Sequence, residues 1–524
     1  MIRFFHMFSL LLFVFFFADA QEPLEEPPRD SATALVADSA SFLLFRSAHP
    51  WTSYRLGRED ILRSPGRTAE YLLPLLPGVA EVDQALHFRG ARSDAAFYGL
   101  EGFNITSPVT NQPLLSLIPD AIDVVDVHTG PYGAEFGRAT GGLVLSRMRT
   151  GGDSLQFSLD ARTDDFVKPG NQLLNTTAQG YRNAILTVSG PLPEGIRFFV
   201  AGQHEFMRNN RPMFFEPFRY DSLRVDQFDS RYVGTPDDQQ QLLPGPVTFS
   251  RNYASDSRNE KNTVQGNLLG EFFDVRLQVL GSYSFEEARQ QDWPTVLQSY
   301  YRQNRAMIMK KSTSFFGAKA TYDLLPFLST TLSFGLTRRS SALTDPDFGE
   351  EWRLFTDSIA NAERGYTEFR RRYAGPFSYS TIYAFTFDHP HSPNNRFEKT
   401  SDNSDQLSLT AEAHISETWS LLGGAQAEWW TLRRYSISSI QGIMEYLYGI
   451  DGTTPRTFLS DLERRVSLMR TYTGGVSNFG YDVDGNETDG GFDKPRTPAF
   501  SSAFLQSSWR SPEYEVTIGL RHER

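Results

Sequence analysis

Along most of this chain apolar and polar residues alternate one by one. Leu155, Phe157, Leu159 and Ala161 alternate with Gln156, Ser158 and Asp160, the two-residue period of a strand with unlike faces. The same period predicts strands at Tyr181–Gly190, Ile196–Phe206, Asn262–Phe272, Val275–Glu286, Thr313–Asp323, Ser329–Ser340, Gln406–Ile415, Trp419–Tyr435, Ser501–Trp509 and Tyr514–His522. That makes about eleven strands, and a further piece near Phe377–Phe387 would make about twelve. Before Gly151-Gly152 the texture differs. Thr68 to Leu76 carries apolar residues at near-helical spacing, stopped by Pro77-Gly78. Short extended pieces follow at Leu86–Arg89, Ala96–Leu100, Ile122–His128 and Gly142–Met148. A small α+β domain therefore precedes a large antiparallel one.

The connections between strands come in two kinds. Short turns at Pro191–Gly195, Leu324–Phe327, Ser416–Thr418 and Arg510–Glu513 join strands in pairs. Long polar segments lie between the pairs: Asp165–Gly180, Met207–Lys261, Ala288–Ser312, Ser341–Asp405 and Ser436–Pro498. Soluble domains rarely hold loops beyond about 15 residues without structure of their own. Outer-membrane barrels alternate short turns with long loops as a rule. A β-propeller would show a blade-length repeat, and none is visible. The pattern predicts a membrane barrel.

Composition then becomes informative. The chain has 524 residues, 14% of them aromatic, yet its mean hydropathy is -0.40. Strands with an apolar outer face and a polar lumen face reconcile the two figures. The absence of cysteine excludes disulfide frameworks, thiolate metal sites and thiol catalysis. A net charge of -12 argues against a nucleic-acid partner. At the N-terminus, Arg3, the apolar run Phe4–Phe17 and Ala18-Asp19-Ala20 describe a secretory signal peptide cut before Gln21. The run is too short to span a bilayer comfortably, which disfavours an anchor. From Gln21 to about Pro50, scattered acids and prolines without a period read as a flexible lead-in.

Five short elements, in order, resemble the plug domain of TonB-dependent outer-membrane receptors. They are Leu76-Pro77-Gly78-Val79, His87-Phe88-Arg89-Gly90-Ala91-Arg92, Leu100-Glu101-Gly102-Phe103, Val125-Asp126-Val127-His128-Thr129-Gly130-Pro131 and Glu135-Phe136-Gly137-Arg138-Ala139-Thr140-Gly141-Gly142. Glu101 stands where the family usually has Asp. Asn478-Phe479-Gly480-Tyr481-Asp482, Pro495, Pro498 and Gly519-Leu520-Arg521 resemble, more weakly, a receptor group common in Bacteroidota-type bacteria. The resemblance implies an α+β plug domain followed by an antiparallel transmembrane β-barrel. On that basis residues 1–20 are a signal peptide, 21–57 a flexible periplasmic lead-in, 58–152 the plug and 153–524 a partial barrel with long extracellular loops.

The resemblance also implies active uptake through the outer membrane and no enzymatic activity. A scarce nutrient (siderophore, cobalamin, glycan or peptide) would bind outer loops and plug apices. TonB of the TonB–ExbB–ExbD system would engage the N-terminal segment by strand addition. Thr33, Ala34, Leu35, Val36 and Ala37 are the candidate TonB box, and Phe42–Phe45 is a second β-capable run. Alternatives of the same ancestry are a non-transporting surface receptor or binding protein, or a non-functional truncated receptor. The family's plug arginines face lumen carboxylates, which nominates Arg89, Arg92 and Arg138 for plug–barrel ionic contacts. Gly90, Gly102, Gly130, Gly141 and Gly142 are the candidate plug turns, where glycine opens conformations closed to other residues. Outer-membrane lipid is the expected surrounding of the strands.

Loop residues suggest further chemistry. Phe214, Phe215, Phe218 and Tyr220, in one long aromatic-rich loop, are candidate ligand contacts. Asp482, Asp484, Asn486, Thr488 and Asp493 have EF-hand-like oxygen spacing, but Glu487 replaces the turn glycine and no helices are expected alongside. His389 and His391 lack a third ligand. Nothing calls for a cofactor or a resident metal. Plugged transporter barrels have about 22 strands, and open edges in lipid are not tolerable. The sequence reading therefore expects an incomplete barrel, about 11–12 of 22 strands, as the N-terminal part of a longer receptor.

Overall fold

The structure, a computed structural model, describes residues 53–82, 85–167, 180–208, 258–290, 300–381, 386–469, 475–511 and 513–524, with short pieces at 172–173, 176–178, 218–220, 223–225, 241–244 and 247–249. Its first part is built on β1 (Ser53–Gly57), α1 (Arg58–Arg63), α2 (Ala69–Leu72), β2 (Val79–Val82), β3 (Ala85–Phe88), β4 (Ala96–Leu100), β5 (Phe103–Asn104), β6 (Ile122–His128) and β7 (Gly142–Met148). Thr68 caps α2, its hydroxyl accepting from the Tyr71 amide at 3.2 Å. Pro74 lacks the donor to extend that helix, and the chain tightens into a 3-10 turn over Leu73–Leu75. Leu72, Leu73 and Leu76 are thereby buried together.

Five of these strands form one sheet in the order β1-β6-β7-β4-β5, with β4 and β7 parallel. Ile61, Phe88, Leu100, Ile118, Val125 and Val127 fill its core. Ser53–Gly57 belongs to this sheet, paired with β6. The lead-in expected to run to residue 57 therefore ends too late. Tyr54 and Leu56 are buried and Arg55 is exposed, but five residues are too few for that alternation to stand out in a sequence.

The second part is one twelve-stranded antiparallel sheet. Its strands are β8 (Gln156–Thr163), β9 (Tyr181–Pro191), β10 (Arg197–Met207), β11 (Asn259–Phe272), β12 (Val275–Arg289), β13 (Ile308–Leu325), β14 (Leu328–Thr344), β15 (Phe397–Ser416), β16 (Trp419–Ile437), β17 (Val476–Phe479), β18 (Ala499–Arg510) and β19 (Glu515–Glu523). Eleven follow one path from β19 to β8, and β17 pairs with β16 beside it. Several run longer than their apolar alternation, because pairing continues into polar ends such as Glu398–Asp405. The piece expected near Phe377–Phe387 is two short strands, Tyr379–Thr381 and Thr386–Phe387, in a separate small sheet. It adds nothing to the large sheet.

The two faces of the large sheet meet different media. Phe157, Leu159, Leu277, Phe334, Leu407 and Leu520 are exposed on one face. From the other face Ile185, Phe199, Ala201, Leu280 and Phe315 join the core of the first domain. Two long connections are ordered, contrary to their loop-like sequence. They hold α3 (Ser358–Glu363), α4 (Ile440–Tyr448) and α5 (Asp461–Met469) around a core of Trp352, Phe355, Phe397, Tyr435 and Ile443. Beside it Arg305 and Asp345 are wholly buried and paired at 3.4 Å. Asn394 donates to Asp345 at 2.7 Å and to the Arg305 carbonyl at 2.9 Å, so the buried carboxylate is both paired and hydrogen-bonded.

Candidate functional site

The seam between the plug and the sheet is the candidate site, because any passage through a barrel requires it to open. Inward positions of β11, β15, β16 and β18 carry side-chain amides, and these serve plug backbone groups. Gln265 accepts from the Ile118 amide at 2.8 Å and donates to the Ser116 carbonyl at 3.0 Å. Asn267 donates to the Arg149 carbonyl at 2.9 Å. Gln406 brackets Asn104, accepting from its amide at 3.0 Å and donating to its carbonyl at 2.6 Å. Gln506 accepts from the Ala134 amide at 2.8 Å, and Gln426 donates to the Glu135 carbonyl at 3.3 Å. Sequence reasoning missed this set. The signal was present, since Gln265 and Asn267 sit at the polar positions of an otherwise apolar alternation.

Charged contacts cross the seam at a few points. Arg138 pairs with Glu428 on β16, and its guanidinium stacks 4.0 Å from the Phe500 ring centroid. Lys319 on β13 donates to Glu101, at 3.3 Å to the carboxylate and 3.1 Å to the carbonyl. Arg67 reaches Asp160 on β8 at 2.6 Å. Arg521 on β19 donates to the carbonyls of Ala134 and Glu135, at 3.2 and 2.7 Å. Burial raises the Glu135 carboxyl above its ordinary range, the Glu412 charge adds to the rise, and Arg521 opposes it.

One nominated arginine sits differently. Arg92 pairs at 2.7 Å with Asp94, two residues on in the plug itself, and its side chain is 86% exposed. A neighbour on the same turn is met at little entropic cost, so the local partner takes the place of the expected wall carboxylate. The Arg89 amide donates to the Gly78 carbonyl at 2.7 Å, closing the turn at φ 48°. Among the nominated glycines, Gly90 and Gly102 adopt φ of 75° and 88°, the left-handed region that glycine enters at no steric cost. Gly141 and Gly142 serve close packing instead: a Cβ would lie 3.0 Å from that of Ala95 and 2.5 Å from the Phe88 ring. Gly130 lies at a bend after β6.

Arginines occupy two carboxylates of the calcium-like spacing. Asp484 binds Arg464 and Arg353, and Asp493 takes a bidentate contact from Arg465. Asp482 folds back onto Asn486 and the Asp484 amide. That arrangement is a turn closed by its own acids, not a cation cage. His389 faces Glu368 at 3.0 Å. Among the described residues no group of three or more His, Asp and Glu could hold a metal. Phe214, Phe215 and the run from Thr33 to Ala37 lie outside the described residues, while Phe218 and Tyr220 fall on a short strand.

No protein-family model matches the chain. Over 151 residues it is 27% identical to the TonB-dependent transporter Oar of Myxococcus xanthus, a match covering 26% of this chain and 14% of that protein. Among solved structures, a mutant of the ferric enterobactin receptor PfeA of Pseudomonas aeruginosa aligns over 90% of this chain, with a TM-score of 0.52 and 11% identity. The siderophore receptor PirA of Acinetobacter baumannii aligns over 90% with a TM-score of 0.50 and 12% identity. The chain spans 57% and 56% of these two receptors.

Proposed function

We propose that this chain, which has the fold of the TonB-dependent outer-membrane receptors and lies in the outer membrane, mediates plug-gated uptake of a scarce nutrient. The observation that carries the reading is the pairing of two unlike faces on one sheet. One face is apolar and exposed, suited to lipid. The other holds a folded plug through side-chain amides, Gln265, Asn267, Gln406, Gln426 and Gln506, beside a shared apolar core and a few ion pairs. Each such bond is worth about 1 kcal/mol, so this polar part of the seam can exchange bond by bond.

TonB is the proposed source of the work that opens the seam, acting through strand addition at residues 33–37. The names of the structural neighbours favour a ferric siderophore over cobalamin, a glycan or a peptide as the nutrient. Phe214, Phe215, Phe218 and Tyr220 are proposed to contact it. The protein is a receptor and not an enzyme. Uptake of radiolabelled ferric siderophores, compared in cells with and without TonB and in a chain lacking residues 33–37, tests the reading. TonB-dependent accumulation is expected. Surface binding without accumulation would support a non-transporting receptor instead.

A further inference from the structure

The plug turn Glu101–Asn104 is gripped by four neighbouring strands of the wall. Lys319 of β13 holds the Glu101 carboxylate and carbonyl. The second carboxylate oxygen of Glu101 accepts from the Met148 amide at 2.9 Å, so the residue ties wall to plug core. Phe103 is 3% exposed and sits over a glycine pair, Gly317 of β13 and Gly335 of β14, which face each other in register. A Cβ on either glycine would stand 2.8 Å from the Phe103 ring. Glycine inside a strand often marks close approach by another group, and here that group is the ring. Phe315, two residues before Gly317, meets Phe103 edge-on at 5.5 Å. Gln406 of β15 satisfies both backbone groups of Asn104, and the Asn104 side chain donates to Glu428 of β16 at 3.2 Å.

At the far edge of the plug sheet the situation is different. There β1 is paired with β6 over five residues. The β5 edge also has one neighbour in the sheet, β4 over two residues, so what marks that edge is the wall contacts above. Strand β1 is also the first described strand, the one a pull on the N-terminal segment reaches first.

We infer that the plug opens from its β1 edge and that the Glu101–Asn104 turn is the last part of it to leave the wall. This rests on the reading that the plug is displaced during uptake. The glycine pair then has a definite task. It makes a socket for one aromatic ring, so that a mid-wall contact survives while weaker seam contacts exchange.

Hydrogen exchange of the full chain in lipid bilayers, over a rising urea series, tests the order of release. The reporters are the amides of Glu101 and Ile105, bonded within the plug to Ser146 and Tyr98, against those of residues 54–56. Residues 54–56 are expected to lose protection at lower urea. Gly335→Ala crowds the ring, and Gln406→Ala removes the Asn104 bracket without adding atoms. Each should accelerate exchange at Glu101 and Ile105 roughly tenfold and close the gap. If Gly335→Ala prevents assembly, Gln406→Ala carries the test alone. Simultaneous loss of protection at both edges in the unaltered chain would overturn the inference. So would an unchanged gap in the variants. Uptake is not part of the readout, so a chain that released its plug in this order without transporting would refute the proposed function alone.

Discussion

Arg138, in the plug segment that leads to the wall, donates to the carboxylate of Glu428, whose side chain is only 8% exposed. Glu428 also accepts from the Trp430 indole at 2.7 Å and from Asn104. One acid thus joins two separate plug segments to β16. Glu428→Gln keeps the shape but places an amide donor against donors. We expect a loss of about 1–2 kcal/mol in plug seating, toward the lower range for hydrogen bonds to charged groups because Arg138 is partly solvated. Limited proteolysis of residues 130–141 in assembled barrels should accelerate accordingly. Unchanged proteolysis would show that the pair contributes nothing at rest.

Trp429 and Trp430 are adjacent on β16 and 49% and 2% exposed, so they report the two faces directly. A charge at position 429 enters the face assigned to lipid, whereas truncation at 430 empties a packed space. Trp429→Arg should destabilise assembly by about 2–4 kcal/mol if the position is near mid-bilayer, and less near an interface. Trp430→Ala should cost about 3–5 kcal/mol. Heat-modifiable gel mobility and urea titration in bilayers measure both. Equal tolerance at 429 for Arg and Leu would remove the lipid assignment of that face.

Leu114 on the plug is buried with Trp430 and Leu432 of the wall, and Phe479 and Phe500 pack against the group. Phe479 lies on β17, inside the long connection between β16 and β18, so this cluster links that connection to the plug. Leu114→Ala should cost about 2–4 kcal/mol and raise exchange in β17 as well as in the plug. A response confined to the plug would mean that this connection is held by β16 alone.

The strands were readable because each separates two media. Phe157 and Leu159 against Ser158 and Asp160 keep a two-residue period that nothing local disturbs. Where a strand leaves that boundary the period vanishes. Residues 398–405 of β15 are Glu, Lys, Thr, Ser, Asp, Asn, Ser and Asp, polar on both faces, and read as loop although they pair throughout. In α4 the signal is present but short: Ile440, Ile443, Met444 and Leu447 are buried at helical spacing within a segment whose sequence reads as a polar loop. Pairing partners were the least legible. Arg138 and Arg92 both lie in glycine-bearing turns, and only the fold puts Glu428 before one and leaves Asp94 to the other. Glu101 departs from the expected Asp in sequence, and in the fold Lys319 and the Met148 amide bond both of its carboxylate oxygens.

Acid should loosen the packing of α5. Asp484 sits between Arg464, bonded at 2.5 and 2.8 Å, and Arg353 at 2.7 Å. The Arg464 hydrogen bonds hold its carboxyl below the ordinary value of 3.8, with the charges of Arg464 and Arg353 adding and partial burial opposing. A carboxylate whose folded pKa is depressed contributes stability that is full above its unfolded pKa and lost as pH falls through the folded one. The contribution to α5, which carries Arg464, should therefore persist at pH 6 and decline below about pH 4. Hydrogen exchange of residues 461–469 between these conditions measures it. Asp484→Asn should show fast exchange already at pH 6 and little further change on acidification, because the group that titrates is gone. Protection of α5 that falls equally with pH in both chains would assign the acid sensitivity elsewhere.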